Sequence, residues 1–170
     1  MDTDKIIIFT DGSSKGNPGS GGWAAVIKTK SSKLKAKNEK IFEIGGREEH
    51  TTNNRMELTA AIEALKALSA PIFNFQFSIF KIKIYSDSKY LIDGINKWIH
   101  GWRINGWRTK DKKEVLNRDL WEKLDEISAG KNIDWHYVSG HSGVADNERC
   151  DEIAQAFADG KIPKLSSSNV

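Results

Sequence analysis

The chain has 170 residues, a length that favours one domain able to bury a core unaided. Its single cysteine, Cys150, excludes an intramolecular disulfide and a Cys-based zinc cluster, and no apolar run approaches the ~20 residues of a membrane span. The net charge of +3 decides nothing as a total, because the charge is unevenly spread.

The polar, acidic start Met1-Asp2-Thr3-Asp4 does not read as a secretory signal, which points to the cytoplasm. Lys5 to Asp11 is a continuous apolar run ending on an aspartate, the pattern of a strand buried on both faces. Gly12 to Gly22 reads as a turn-rich connection. It lacks the Gly-Lys-Ser/Thr ending of a nucleotide-binding loop and the dinucleotide fingerprint. Trp23 to Lys28 resumes strand character. A lysine-rich stretch with Lys28, Lys30, Lys33, Lys35, Lys37 and Lys40 follows, either a phosphate-tracking patch or a solvated hairpin tip. Lys40 to Gly45 is a third short strand, so the first half predicts an antiparallel meander.

From Asn54 to Ser69 the period becomes helical, with Leu58, Ile62 and Leu65 in one stripe and Pro71 beyond the last turn. Ile72 to Phe80 reads as a loop extension or part of a lengthened strand. Lys81 to Ser86 alternates as a half-buried strand with Asp87 at its end, and Ser88 caps a helix running to Ile95. Ile95 to Trp121 sets tryptophans among Arg103, Arg108, Lys110, Lys112 and Lys113, with helical spacing at Trp98/Trp102 and Leu116/Leu120. Asn132 to Val138 is a last strand and Asp146 to Asp159 a last helix. The expected architecture is α/β, a five-stranded mixed sheet flanked by helices. Residues 1–160 are expected to form one domain and 161–170 a flexible tail.

Four acids stand at element ends or on helix borders. Asp11 and Asp87 end strands; if those strands are parallel neighbours, the two carboxylates lie one strand spacing apart, ~4.8 Å. Glu57 and Asp151 border the apolar stripes of their helices. Carboxylates this close raise one another's pKa unless a cation neutralises them, and hard oxygens without thiolate or imidazole favour Mg²⁺, with Mn²⁺ as a substitute. Two such ions ~3.5–4 Å apart suit in-line displacement at phosphorus. Each acid also has a plainer reading. Asp11 can open an Asx turn, Glu57 can complete a capping box with Asn54, Asp87 can be a helix-entry residue, and Asp151 can be solvated helix surface.

Several stretches, in this order, resemble type I ribonuclease H of the bacterial kind. They are Phe9-Thr10-Asp11-Gly12-Ser13 with Gly16-Asn17-Pro18-Gly19, Thr51 to Leu58, Ser86 to Tyr90, Trp98 to Trp102, Gly140 to Gly143, and Asn147 to Asp151. The likeness runs from about Lys5 to about Phe157. It implies a ribonuclease H-like fold and an endonuclease that hydrolyses the RNA strand of RNA–DNA hybrids, leaving 5′-phosphate and 3′-hydroxyl ends. It further implies two Mg²⁺ ions held by Asp11, Glu57, Asp87 and Asp151, and a monomer that needs no membrane.

By the same resemblance His141, in a glycine-flanked mobile loop, shuttles protons or helps product leave. Asn17, Asn53 and Asn54 line the hybrid's minor groove with backbone near Gly12 and Ser13, where a 2′-hydroxyl marks the RNA strand. Thr52 and Asn117 hold a phosphate of the DNA strand. Trp102 and Trp107 belong to a basic handle, and Lys89 stands where bacterial relatives often carry glutamine. His50 stands where relatives commonly place arginine; His50, His100 and His136 read as structural. The alternatives are a resolvase or transposase core, which shares the acidic cluster, and a non-catalytic hybrid- or RNA-binding module, which would most simply have lost a carboxylate.

Overall fold

The computed structural model describes residues 5–30, 39–70 and 81–167. The middle of the lysine-rich stretch and the apolar segment 72–80 therefore lie outside the described residues. Three strands, β1 (Lys5–Gly16), β2 (Gly19–Lys30) and β3 (Lys40–Thr51), precede α1 (Asn53–Ala67) and β4 (Lys81–Ser86). Then come α2 (Lys89–Asp93), a π-helical turn (Gly94–Trp98), α3 (Ile99–Ile104), α4 (Arg118–Ser128), β5 (Ile133–Tyr137) and α5 (Ala145–Ala158).

The sheet order is β3-β2-β1-β4-β5. The first three strands form the expected antiparallel meander, and β4 lies parallel to both β1 and β5. Helices cover both faces, which is why β1 is apolar at consecutive positions. Ile6 and Ile8 pack with Leu58, Ile62 and Leu65 of α1, whereas Phe9 packs with Cys150, Ile153 and Ala154 of α5. The helical stripe expected for α1 is fully inside.

The Gly12–Gly22 segment corrects the expectation of a long turn. Gly12 to Gly16 continue β1, Gly19 to Gly22 begin β2, and only Asn17-Pro18, joined by a cis peptide bond, makes the turn. Gly12 and Gly22 are there for clearance rather than for bending. A Cβ on Gly12 would stand 2.3 Å from the Glu57 backbone nitrogen, and one on Gly22 would stand 2.1 Å from the Ala154 carbonyl oxygen. The bare backbone thus lets α1 and α5 lie on the extended hairpin. Gly22→Ala meets backbone that cannot swing aside, so it is expected to cost about 1–3 kcal/mol in urea unfolding. A change within about 0.5 kcal/mol would contradict this packing.

Caps set the helix starts. Thr52, not Asn54, is the N-cap of α1, accepting from the Arg55 N–H at 3.3 Å, so the capping-box reading of Glu57 falls away. Ser88 caps α2 as expected, accepting from the Leu91 N–H at 3.1 Å. The helical path then runs on to Ile104, well past Ile95, because Gly94 in the π turn leaves room for the Trp121 ring. A Cβ there would meet that ring at 2.0 Å.

Within the segment expected as a tail, Ser166 and Ser167 are bonded to β3. The Ser166 carbonyl accepts from the Glu43 N–H at 2.9 Å, the Ser166 N–H donates to Glu43 Oε2 at 2.9 Å, and Ser167 bridges Phe42. Arg149 binds the Glu43 carboxylate at 3.0 Å and the Lys164 carbonyl at 2.9 Å. Burial alone would raise the Glu43 pKa, but the Arg149 and Ser166 hydrogen bonds outweigh it and hold the group below the usual range. The physical reason for docking is that β3 is an edge strand with backbone groups to satisfy.

Candidate active site

The parallel register ends with the pair Thr10↔Ser86, so Asp11 and Asp87 are the next residues of two adjacent strands. The two strands are parallel neighbours, as the close placement of both acids requires. Glu57 reaches the same place from the first turns of α1, brought close by the missing side chain at Gly12. One ligand oxygen from each of Asp11, Glu57 and Asp87 lies within 4.8 Å of the others, the one such group of acids among the described residues.

The electrostatics are those of a site built for a cation. Asp11 is 5% exposed and Glu57 3% exposed. Burial, then the charges of Asp87 and Asp151, push the Asp11 pKa up to about 7, although Asp11 accepts a 2.7 Å hydrogen bond from the Gly12 N–H. Burial, then Asp11 and Asp87, raise Glu57 well above the ordinary carboxylate range. Glu57 Oε2 has no hydrogen-bond partner among the described residues. Buried like charges and an orphaned oxygen are costly unless something positive sits among them. Hard oxygen donors suit Mg²⁺ or a similar divalent cation, so the residues present fit such an ion.

Asp151 stands at the margin of the triad. Its charge is felt by Asp11, but both of its oxygens accept from Gln155 Nε2, at 2.8 and 2.9 Å. Three of the four expected acids therefore converge here, and the fourth is turned along its own helix.

His141 is exposed, in a left-handed backbone conformation with φ of 53°, within the loop between β5 and α5. That loop is seated on the triad: a Cβ on Gly140 would come within 2.9 Å of Asp87 Oδ2. It is held by Ser142, whose hydroxyl donates to the Ser139 carbonyl at 2.6 Å, and by the Gly143 N–H donating to Glu148 at 3.2 Å.

Among the expected substrate residues, Gly12, Ser13, Asn17, Thr52, Asn53 and Asn54 lie where the hairpin meets α1; Asn17 Oδ1 accepts from the Asn53 N–H at 3.2 Å. Asn117, at φ of 58°, accepts from Arg55 at 3.3 Å and donates to the Tyr90 hydroxyl at 3.2 Å. Arg55 is itself held by both oxygens of Asp119, at 3.0 and 2.7 Å. The remaining three are Lys89, Trp102 and Trp107. The Lys89 ammonium lies 5.6 Å above the exposed ring of Tyr137. Trp102 packs between Trp98, Trp107 and the buried Trp121, so part of its surface is committed to the core.

Arg55, Tyr90, Asp119 and Tyr137 were not singled out by sequence reasoning. Their partners are distant in the chain and carry no local signal. Asn147 was also missed, though its i,i+4 spacing to Asp151 offered one.

A mixed sheet of this order, with an acidic centre where the β1–β4 pairing ends, defines the class: an α/β protein of the ribonuclease H-like fold. The sequence model of the ribonuclease H family matches residues 3–159. A ribonuclease H of Rhizobium meliloti (strain 1021) is 50% identical over 150 residues, covering 88% of each chain. The crystal structure of LC9-RNase H1, described as a type 1 RNase H with the type 2 active-site motif, superimposes with a TM-score of 0.81 at 29% identity. That match covers 99% of this chain and 79% of the other. LC11-RNase H1, solved in complex with an RNA/DNA hybrid, shares the fold at a TM-score of 0.64 and 24% identity, covering 91% and 97% of the two chains. The chain belongs to the ribonuclease H family, as a type I member, and is a hydrolase. No helix among the described residues is long and apolar enough to cross a membrane.

Proposed function

We propose that the protein is an endoribonuclease that hydrolyses the RNA strand of RNA–DNA hybrids, with two Mg²⁺ ions at a centre formed by Asp11, Glu57, Asp87 and Asp151. The observation that carries this reading is the buried convergence of Asp11, Glu57 and Asp87 around an unpartnered carboxylate oxygen. Bound Mg²⁺ supplies Lewis acidity toward the phosphodiester oxygens. The carboxylates hold the ions, and α1 and α5 exclude bulk water from the floor of the site. A water oxygen forms a bond to phosphorus as the bond to the 3′-oxygen breaks, leaving 5′-phosphate and 3′-hydroxyl ends. His141, exposed on its loop, takes up or returns the proton.

Substrate selection falls to neutral groups. Asn17, Asn53 and Asn54, with the backbone at Gly12 and Ser13, meet base edges and 2′-hydroxyls in the minor groove. Thr52 and Asn117 hold a phosphate of the DNA strand, with Asn117 steadied by Arg55 and Tyr90. Lys89 meets backbone phosphate, and Trp102 and Trp107 offer what exposed edge they retain to sugar.

One assay separates this from the other readings. RNA–DNA hybrid labelled on its RNA strand, labelled duplex RNA and labelled duplex DNA are each offered, with Mg²⁺ or with EDTA. Cleavage of the hybrid alone, lost in EDTA, is the expected result. Equal cutting of duplex DNA would move the protein to the resolvase and transposase side of the fold, and binding without cutting would make it a hybrid-binding module.

A further inference from the structure

Asn147 lies in the first turn of α5, 2% exposed, four residues before Asp151 and so on the same helical face. Its Nδ2 donates to Asp87 Oδ2 at 3.4 Å. The Oδ1 of the same carboxamide is buried without a hydrogen-bond partner among the described residues. Packing alone does not account for an amide here, because an apolar side chain of that size would leave no acceptor unsatisfied. The amide does supply a neutral donor. A lysine or arginine in its place would neutralise the acidic cluster and compete with a cation, whereas a carboxamide orients Asp87 without withdrawing its charge. Gly140 closes off the same oxygen from another direction.

We infer that Asn147 is a positioning residue, whose amide holds Asp87 turned toward Asp11 and Glu57 and so sets the centre's affinity for a divalent cation. This rests on the metal-centre reading above. Groups that orient a ligand of a metal commonly change its affinity by about 10–100-fold when removed.

The test is calorimetric titration of Mg²⁺ into the full chain, as wild type, Asn147→Ala, Asp87→Asn and the double variant. Asn147→Ala is expected to weaken Mg²⁺ binding about tenfold or more. In the Asp87→Asn background the same change is expected to cost less than about twofold, because its route of action is gone. Asn147→Ser stands in should the alanine variant fail to fold, with the same expected loss. Binding by Asn147→Ala within about twofold of wild type, or an equal loss in both backgrounds, overturns the inference. A purely structural role would lower the melting temperature in EDTA and leave Mg²⁺ affinity unmoved, which also overturns it. Failure of the wild type to bind Mg²⁺ at all is a separate result and removes the metal-centre reading itself.

Discussion

Asp11→Asn is expected to suppress hybrid cleavage while making the metal-free protein harder to unfold. The loss in kcat should be on the order of 10²–10³-fold, the scale seen when one group of a preorganised electrostatic centre is removed. The gain in stability follows from the raised pKa. Below about pH 3 the carboxyl is protonated whether the chain is folded or not, and the wild type carries no penalty. Between the ordinary value of 3.8 and about 7 the unfolded chain releases the proton while the folded one keeps it. Metal-free stability therefore falls as pH rises through that window, and above it the penalty is complete. A displacement of that size corresponds to a ceiling on the order of 4 kcal/mol for the 5%-exposed Asp11. Thermal melts in EDTA should show Asp11→Asn gaining several degrees over wild type at pH 8 and almost nothing at about pH 3. Equal melting at both pH values, with an intact fold, would mean the acids are not crowded in solution.

The largest effect on the fold is expected at Trp121. The ring is fully buried, packs at 5.3 Å from Trp102 and 5.4 Å from Tyr90, and fills the space that Gly94 leaves open. Its indole N–H donates to the Tyr90 hydroxyl at 3.0 Å, and that hydroxyl accepts in turn from Asn117. Trp121→Ala should cost about 3–5 kcal/mol in urea unfolding through the cavity it leaves. Trp121→Phe keeps most of the packing and loses the hydrogen bond, so about 1 kcal/mol is expected. Both should weaken hybrid affinity, because the Tyr90 hydroxyl that steadies Asn117 loses the indole N–H that fixes it. Unchanged affinity in a folded Trp121→Phe would show that Asn117 needs no such support.

Much of this architecture could be read from local pattern. Lys81–Ser86 alternates because one strand face is buried more deeply than the other, and the observed β4 has those bounds. The Leu58/Ile62/Leu65 stripe marked the inner face of α1, and Asp11 and Asp87 stood out because each follows its apolar run. What stayed hidden has one physical origin. Gly12 to Gly22 carries turn residues, yet they serve a tertiary need, close approach by two helices that a single segment cannot announce. Likewise Arg55 pairs with Asp119 sixty-four positions away, and Asn147 reaches Asp87 across sixty. The direction of the Asp151 side chain was equally illegible, since periodicity places a residue on a helix face without choosing its rotamer.

The strap that Ser166 and Ser167 lay along β3 bears on solubility. A sheet of this kind has two open margins, each able to recruit a strand from another molecule. On one side five-residue β5, studded with Asp134 and His136, offers little to copy. On the other, twelve-residue β3 would be an inviting template were Ser166 and Ser167 not already bonded to it. A chain cut before Lys164 is thus expected to self-associate at concentrations where the intact chain stays dispersed, measurable by light scattering.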